Sequence, residues 1–312
     1  MENRITGLHH ITAIAGNAQR NYDFYTKTLG LRLVKKTVNF DDPGTYHFYY
    51  GNEVGSPGTI LTFFPWEGVQ RGKTGVGMAT EIGYSVPAGS LSFWEERLKE
   101  QNIVHQPIAE KFGEQYLALE DHDGLLLNLI APATEDKRKP WAAGTVKENA
   151  AIKGFHSVVL TLKNIKATAT ILTDIFGYSQ LKQEGNRYRF TTDAIDTANV
   201  VDLVEVPTGQ RGVNAGGTNH HVAFRVPNEE VLMHFREKVR SAGLNITEKI
   251  DRNYFFSLYF REPGGVLFEI ATDNPGFATD ETVAELGTHL MLPPQYERSR
   301  RQIEEHLPVL HP

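Results

Sequence analysis

A strand–helix–three-strand order that recurs four times is what most restricts the fold of this chain. The first unit opens with the strand-like LHHITAIAG, continues in the amphipathic NAQRNYDFYTKTLG and ends in LRLVKKTVNF, TYHFYYGNE and GTILTFFP. Tyr22, Phe24, Tyr25 and Leu29 supply that helix with apolar positions, and Gly30 stands where a helix C-cap is expected. ATEIGYSV, SLSFWEERLKEQNI, QYLALED and GLLLNLIAP make the second unit. HSVVLTL, KATATILTDIFGY, RYRFTTD and NVVDLVEVP make the third, and HHVAFRV, NEEVLMHFREKVRSAG, SLYFREP and GVLFEIAT the fourth. The expected class is α+β, built from four βαβββ modules.

Likeness alternates along the chain. Units one and three share the helix ends TLGLRLV and IFGYSQL; units two and four share DHDGLLLNLIA and REPGGVLFEIA. A two-unit half has therefore been duplicated. The expected division is 1–133 for the first module pair, 134–152 for a charged, Pro/Gly-containing linker, 153–272 for the second pair and 273–312 for a C-terminal extension. That extension could wrap the body, cover a cleft or form a contact between copies.

Composition removes several kinds of function. A net charge of -6 without a basic stripe argues against nucleic acid. No apolar run approaches 18 residues, and MENRITGLHH lacks a signal peptide's apolar stretch, so a cytoplasmic protein with no membrane partner is expected. With no cysteine there are no disulfides, thiolate ligands or thiol nucleophiles, so His, Asp, Glu or carbonyl oxygen must hold any metal.

Two His-His pairs at strand starts, His9-His10 and His220-His221, accompany a lone carboxylate, Glu269 in GGVLFEIA. Two imidazoles and one carboxylate form the facial triad of non-haem Fe(II) oxygenases, with positions left open. The halves offer comparable sets: His10 to His156 is 146 positions, Glu81 to His221 is 140, and Asn128 to Glu269 is 141. On this count His10, Glu81 and Asn128 answer to His156, His221 and Glu269. The third ligand beside His221 and Glu269 is then His156 if each half closes on itself, and His10 if unit one pairs with unit four. Strand alternation forbids both members of a doublet from facing one metal unless the strand bulges. From His10 it puts Leu8 and Thr12 on the ligand's face, from His221 Asn219 and Ala223, and leaves His9 and His220 to approach from the side.

The four modules, with His on first strands and Glu on a last strand, resemble the vicinal oxygen chelate superfamily. Within it, LHHITAIAGNAQRNYDFYTKTLGL, NHHVAFRV and GGVLFEIATDNPGFA resemble the bacterial hydroquinone-type ring-cleaving dioxygenases. The resemblance implies two half-barrel domains, a metal held by His10, His221 and Glu269, and His9, Thr12, His220, Arg252 and Tyr259 in the catalytic surroundings. It implies Fe(II), with Mn, Co or Zn able to substitute, and a small aromatic substrate cleaved with O2. His156 would then occupy a partner cleft with Glu81 and Asn128, without a metal. Tyr259 can donate a phenolic hydrogen bond, and Arg252 can stabilise negative charge. Rival readings are a catechol-type extradiol enzyme using His156, a glyoxalase-like metal enzyme, and a metal-free binding protein of this fold; homo-oligomerisation is also open.

Overall fold

The structure, a computed structural model, describes residues 3–311, so the first two residues and the last of the expected division lie outside the described residues. Each unit delivers four strands. Unit one has β1 (Leu8–Ala15), β2 (Arg32–Asn39), β3 (Asp42–Gly51) and β4 (Ile60–Pro65). Unit two has β5 (Met78–Ser85), β6 (Ala109–Lys111), β7 (Glu114–Glu120) and β8 (Leu126–Ala131). Unit three has β9 (Gly154–Leu162), β10 (Ser179–Glu184), β11 (Arg187–Thr191) and β12 (Val200–Glu205). Unit four has β13 (Thr218–Val226), β14 (Ile250–Asp251), β15 (Phe255–Arg261) and β16 (Leu267–Pro275).

After the first strand of each unit comes its helix: α1 (Ala18–Asp23), α2 (Leu91–Glu100), α3 (Lys166–Thr170) and α4 (Glu229–Ser241). Asn17 caps α1 by accepting from the Arg20 amide, and Asn228 caps α4 by accepting from the Val231 amide. A π-helical turn continues α1 and α3, at Phe24–Thr28 and Ile171–Ile175. Gly30, at φ +72°, ends the first of these helices in the conformation glycine tolerates best. The apolar stripes bury against the outer sheet faces, where Phe24 and Tyr25 join Leu8, Ile11 and Ala13 in one core. No helix of the described residues is long and apolar enough to cross a membrane.

Two eight-stranded sheets result, ordered β14-β15-β16-β13-β1-β4-β3-β2 and β10-β11-β12-β9-β5-β8-β7-β6. Antiparallel pairing of β1 with β13 joins unit one to unit four, and β5 with β9 joins unit two to unit three. The spans 1–133 and 153–272 are thus repeats of sequence and not bodies in space: each gives one unit to each half-barrel. The reason is the central antiparallel pair, which gives β1 the first strand of unit four as its neighbour.

Residues 134–152 form no regular element, yet they are pinned. Arg138 donates to the Gly58 and Phe155 carbonyls, one from each half-barrel, and the Ala150 carbonyl accepts from Trp94. The C-terminal segment wraps unit one. Lys35, fully buried, donates to Asp280 at 2.6 Å and Glu281 at 2.5 Å, while Tyr296 donates to the Phe40 carbonyl.

Candidate metal centre

Both His-His pairs sit on β-bulges. On β1 the register with β13 passes from Leu8↔Phe224 to His10↔Ala223, and from Thr12↔His221 to Ala13↔Asn219. His9 and His220 are therefore the extra residues of two bulges facing each other across one strand pair. A bulge re-aims the side chains around it. Leu8 accordingly faces the helices, against the simple alternation that set it beside Thr12, while His10 and Thr12 line the pocket. Asn219 also departs from that face's task and donates to the Ala79 carbonyl of the other half-barrel.

His10, His221 and Glu269 meet: their ligand atoms lie within 4.8 Å of one another, and theirs is the one such His/Asp/Glu group among the described residues. His10 Nε2 is 3.2 Å and His221 Nε2 2.9 Å from the same carboxylate oxygen, Glu269 Oε2. Glu269 is wholly buried, and neither carboxylate oxygen has an aligned hydrogen-bond donor. The close nitrogens face the oxygen without the geometry of hydrogen bonds, as atoms aimed at a common point do. Burial would lift the Glu269 carboxyl, but His10 and His221 outweigh it and hold it well below the usual carboxylate range.

The doublet partners fix the rings. His9 Nδ1 is 2.9 Å from His10 Nδ1, and His220 Nδ1 is 2.7 Å from His221 Nδ1. In each doublet one ring donates and the other accepts through these facing Nδ1 atoms. The Nε2 atoms of His10 and His221 are thereby left facing Glu269. Burial, then the neighbouring His10, drives His9 well below the ordinary imidazole value; burial and His221 bring His220 down to about 4. Both helpers are neutral at pH 7.

Tyr259 lies directly across from Glu269 in the β15–β16 register, its ring 5.7 Å from that of His221. Arg252 Nε donates to the Tyr259 hydroxyl at 3.3 Å, which leaves the phenolic proton for another acceptor. Burial and the Glu269 charge raise Tyr259 far above the usual phenol value, so it acts as a donor. The pocket beside these groups has a volume of about 320 Å³, and Phe40, Phe64, Trp66 and Phe255 wall it. Sequence reasoning missed its other polar wall, His47 and Tyr49. Both lie in TYHFYYGNE, where period-two alternation puts them on one face, but nothing in the sequence tells which sheet β3 joins.

His156 does not take the place of His10. Opposite Glu81, which stands where His221 does, β9 presents Val159, as β1 presents Thr12 opposite His221. Stepping back two residues makes Ser157 the counterpart of His10. His156 falls in the bulge between Gly83↔Ser157 and Tyr84↔Phe155, the place of His9. It pairs with Glu114 at 3.2 Å and not with Glu81 or Asn128. Glu81 instead accepts from Asn128 at 2.8 Å and Arg187 at 2.9 Å. The expectation that His156 mirrors His10 is corrected by one residue.

The chain matches the model of the Glyoxalase/Bleomycin resistance protein/Dioxygenase superfamily over residues 7–129 and 154–270, and it belongs to that superfamily. Among its relatives, MhqO of Bacillus subtilis (strain 168), provisionally named a ring-cleaving dioxygenase, is 48% identical over 98% of this chain and 97% of its own length. The chlorohydroquinone/hydroquinone 1,2-dioxygenase of Sphingobium indicum is 36% identical over 94% of this chain and 93% of its own. A solved B. subtilis structure, provisionally titled a dioxygenase, superposes with a TM-score of 0.95 at 46% identity, covering 99% of this chain and 98% of that one. Maize glyoxalase I, at 16% identity, shares the fold with a TM-score of 0.61 over 86% of this chain and 92% of its own.

Proposed function

We propose that the protein is a cytoplasmic, Fe(II)-dependent dioxygenase that opens the ring of a hydroquinone-type aromatic with O2. The observation that carries this reading is the convergence of His10, His221 and Glu269 on one point beside an aromatic-walled pocket. The donor set fits a divalent cation: two imidazoles with their Nε2 atoms aimed inward and a buried carboxylate whose oxygens lack hydrogen-bond donors. Fe(II) held there would supply the redox chemistry that joins O2 to an electron-rich ring. A glyoxalase-type centre with four protein donors is disfavoured, because the group contains three.

The protein's own groups have separable tasks. His9 and His220 hold the ligand rings in one tautomer and orientation, as carboxylates or carbonyls do around other metal-binding histidines. His220, whose Nδ1 is 2.7 Å from that of His221, also lines the pocket, where it can exchange a proton with substrate. Tyr259 donates its phenolic proton to an oxygen developing charge, and Arg252 keeps the phenol oriented while adding a positive charge. Phe40, Phe64, Trp66 and Phe255 keep the ring flat and exclude water; a 320 Å³ space suits a single substituted ring.

The test is oxygen consumption with hydroquinone and its chloro and methyl derivatives after anaerobic loading with Fe(II). Stoichiometric uptake with loss of the aromatic absorbance is expected. Absence of uptake with hydroquinones and catechols alike would overturn the proposal.

A further inference from the structure

Four neutral groups form a continuous hydrogen-bonded chain along the pocket wall of the first half-barrel. Thr12 Oγ1 is 2.8 Å from Thr62 Oγ1, Thr62 Oγ1 is 3.0 Å from His47 Nε2, and His47 Nδ1 is 3.0 Å from the Tyr49 hydroxyl. Thr12 and Tyr49, the two ends, both line the pocket, as does His47; Thr62 is wholly buried behind them. Sheet register sets the spacing, since β4 pairs Thr62 with Thr12 on one side and with Tyr49 on the other. The His47 ring is clamped between Tyr49, at 4.1 Å, and Phe64, at 4.4 Å.

The fold does not require this chain. At the corresponding places of the second half-barrel stand Val159, Asp202, Arg187 and Arg189, as the pairings Val159↔Asp202 and Asp202↔Arg189 show. There Arg189 grips Asp202 with two bonds, Nε to Oδ1 at 2.9 Å and Nη2 to Oδ2 at 3.0 Å. Such a clamp stabilises a sheet but passes no proton. The first half-barrel uses hydroxyl–hydroxyl–imidazole–hydroxyl instead, in which every member can both donate and accept.

We propose that Thr12, Thr62, His47 and Tyr49 are an internal proton shuttle that takes a proton from one oxygen of the bound aromatic and returns it at a second oxygen of the same reacting molecule. This rests on the dioxygenase reading above. In one direction, a substrate O–H breaks as Tyr49 accepts its proton, and the original Tyr49 proton moves to His47 Nδ1. The His47 Nε2 proton passes to Thr62, the Thr62 proton to Thr12, and the Thr12 proton forms the new O–H. One O–H is lost and one gained, no electrons move, and the chain stays neutral. Only the tautomer of His47 and the sense of the hydroxyls change; water entering the emptied pocket reverses them. The surroundings favour a neutral His47: burial, then His10, His221 and Arg252, disfavour its cation, against the weaker opposing pull of Glu269.

Thr62→Val, nearly isosteric and remote from substrate, is the central variant, with His47→Phe beside it. In Fe(II)-loaded enzyme each lowers kcat about 10- to 100-fold, with KM within about twofold and iron content unchanged. The solvent deuterium isotope effect on kcat loses its dependence on several protons. A second readout needs neither iron nor turnover: ¹⁵N-histidine NMR of the metal-free protein shows a neutral His47 with both nitrogens hydrogen-bonded, and Thr62→Val shifts Nε2 selectively. Unchanged kcat and isotope effect in Thr62→Val would overturn the shuttle, as would a cationic His47 at neutral pH, whether or not oxygen is consumed. Failure of the wild type to consume oxygen overturns the reaction itself, a separate result.

Discussion

The two half-barrels have the same strand order, the same pair of bulges and the same register, but their inward side chains serve opposite ends. Where the first sets His10, His221 and Glu269, the second sets Ser157, Glu81 and Asn128. Where Phe255 packs against His9 at 5.3 Å, Glu114 pairs with His156. Arg187, Arg189 and Lys111 then fill the second interior with cations that meet Glu81, Glu114 and Asp202. The cluster proposed to bind a cation thus has a twin that supplies its own cations. The open Nδ1 of His156, buried without a partner, is what remains of a doublet whose second imidazole is a serine. The difference teaches that the same buried carboxylate position can be left open to an outside cation or closed by an arginine from within.

The comparison breaks most visibly at the triad. Glu269→Gln or His221→Ala should remove bound metal and lower turnover by more than ~100-fold, beyond the usual loss for an outer hydrogen-bonding partner. Ser157→Ala and Asn128→Ala should leave metal content, read by elemental analysis, as it is. Loss of metal on either second-barrel substitution would contradict the assignment. Next in size is Arg189→Met, which takes the two-bond partner from a fully buried Asp202 and leaves it only Arg187 at 4.0 Å; chemical denaturation should show a loss of about 3 kcal/mol with metal binding retained.

Glu114 gives a smaller, pH-dependent effect. Burial would raise its carboxyl, but His156 and Arg189 hold it down at about 2. A depressed acid contributes stability that is complete above the unfolded value near 4.5 and vanishes as pH falls through about 2. Glu114→Gln should therefore cost about 2 kcal/mol at pH 7 and less than about 0.5 kcal/mol near pH 2, in denaturation curves at both pH values. The smallest change is expected for metal content in His156→Ala. A His156→Ala protein without metal would restore His156 as a ligand and undo the pairing of unit one with unit four at the site.

Much of the architecture was legible because repetition amplifies weak signals. Strand and helix order recurs in all four units, and the loop pair DHDGLLLNLIA and REPGGVLFEIA marks the halves. The triad was within reach for the same reason, since His221 and Glu269 share a unit. Spatial pairing was not: nothing local states whether β1 meets β5 or β13. The one-residue error at His156 came from aligning imidazole with imidazole. Gly7-Leu8-His9-His10 set against Gly154-Phe155-His156-Ser157 gives the offset the sheets adopt, because those glycines, at φ +86° and +139°, start the strands. Bulges were foreseen only as a condition, and they are what separates the roles of His9 and His10.

Pairing the first unit with the fourth has a consequence for how the protein comes off the ribosome. β5 to β12 are consecutive, so the second half-barrel has all its strands by residue 205. His10 must wait until Glu269 has been made before its neighbours exist. Long-range closure of this kind is slow, and the early strand edge needs a partner meanwhile. The ion-paired barrel would then act as a template formed first, which the outer strands close around, and metal capture at the proposed site would be the last event of synthesis. Chains arrested after residue 205 should protect β5–β12 amides from hydrogen exchange while retaining no metal, and full-length chains should add protection of β1 and β13 together with bound metal.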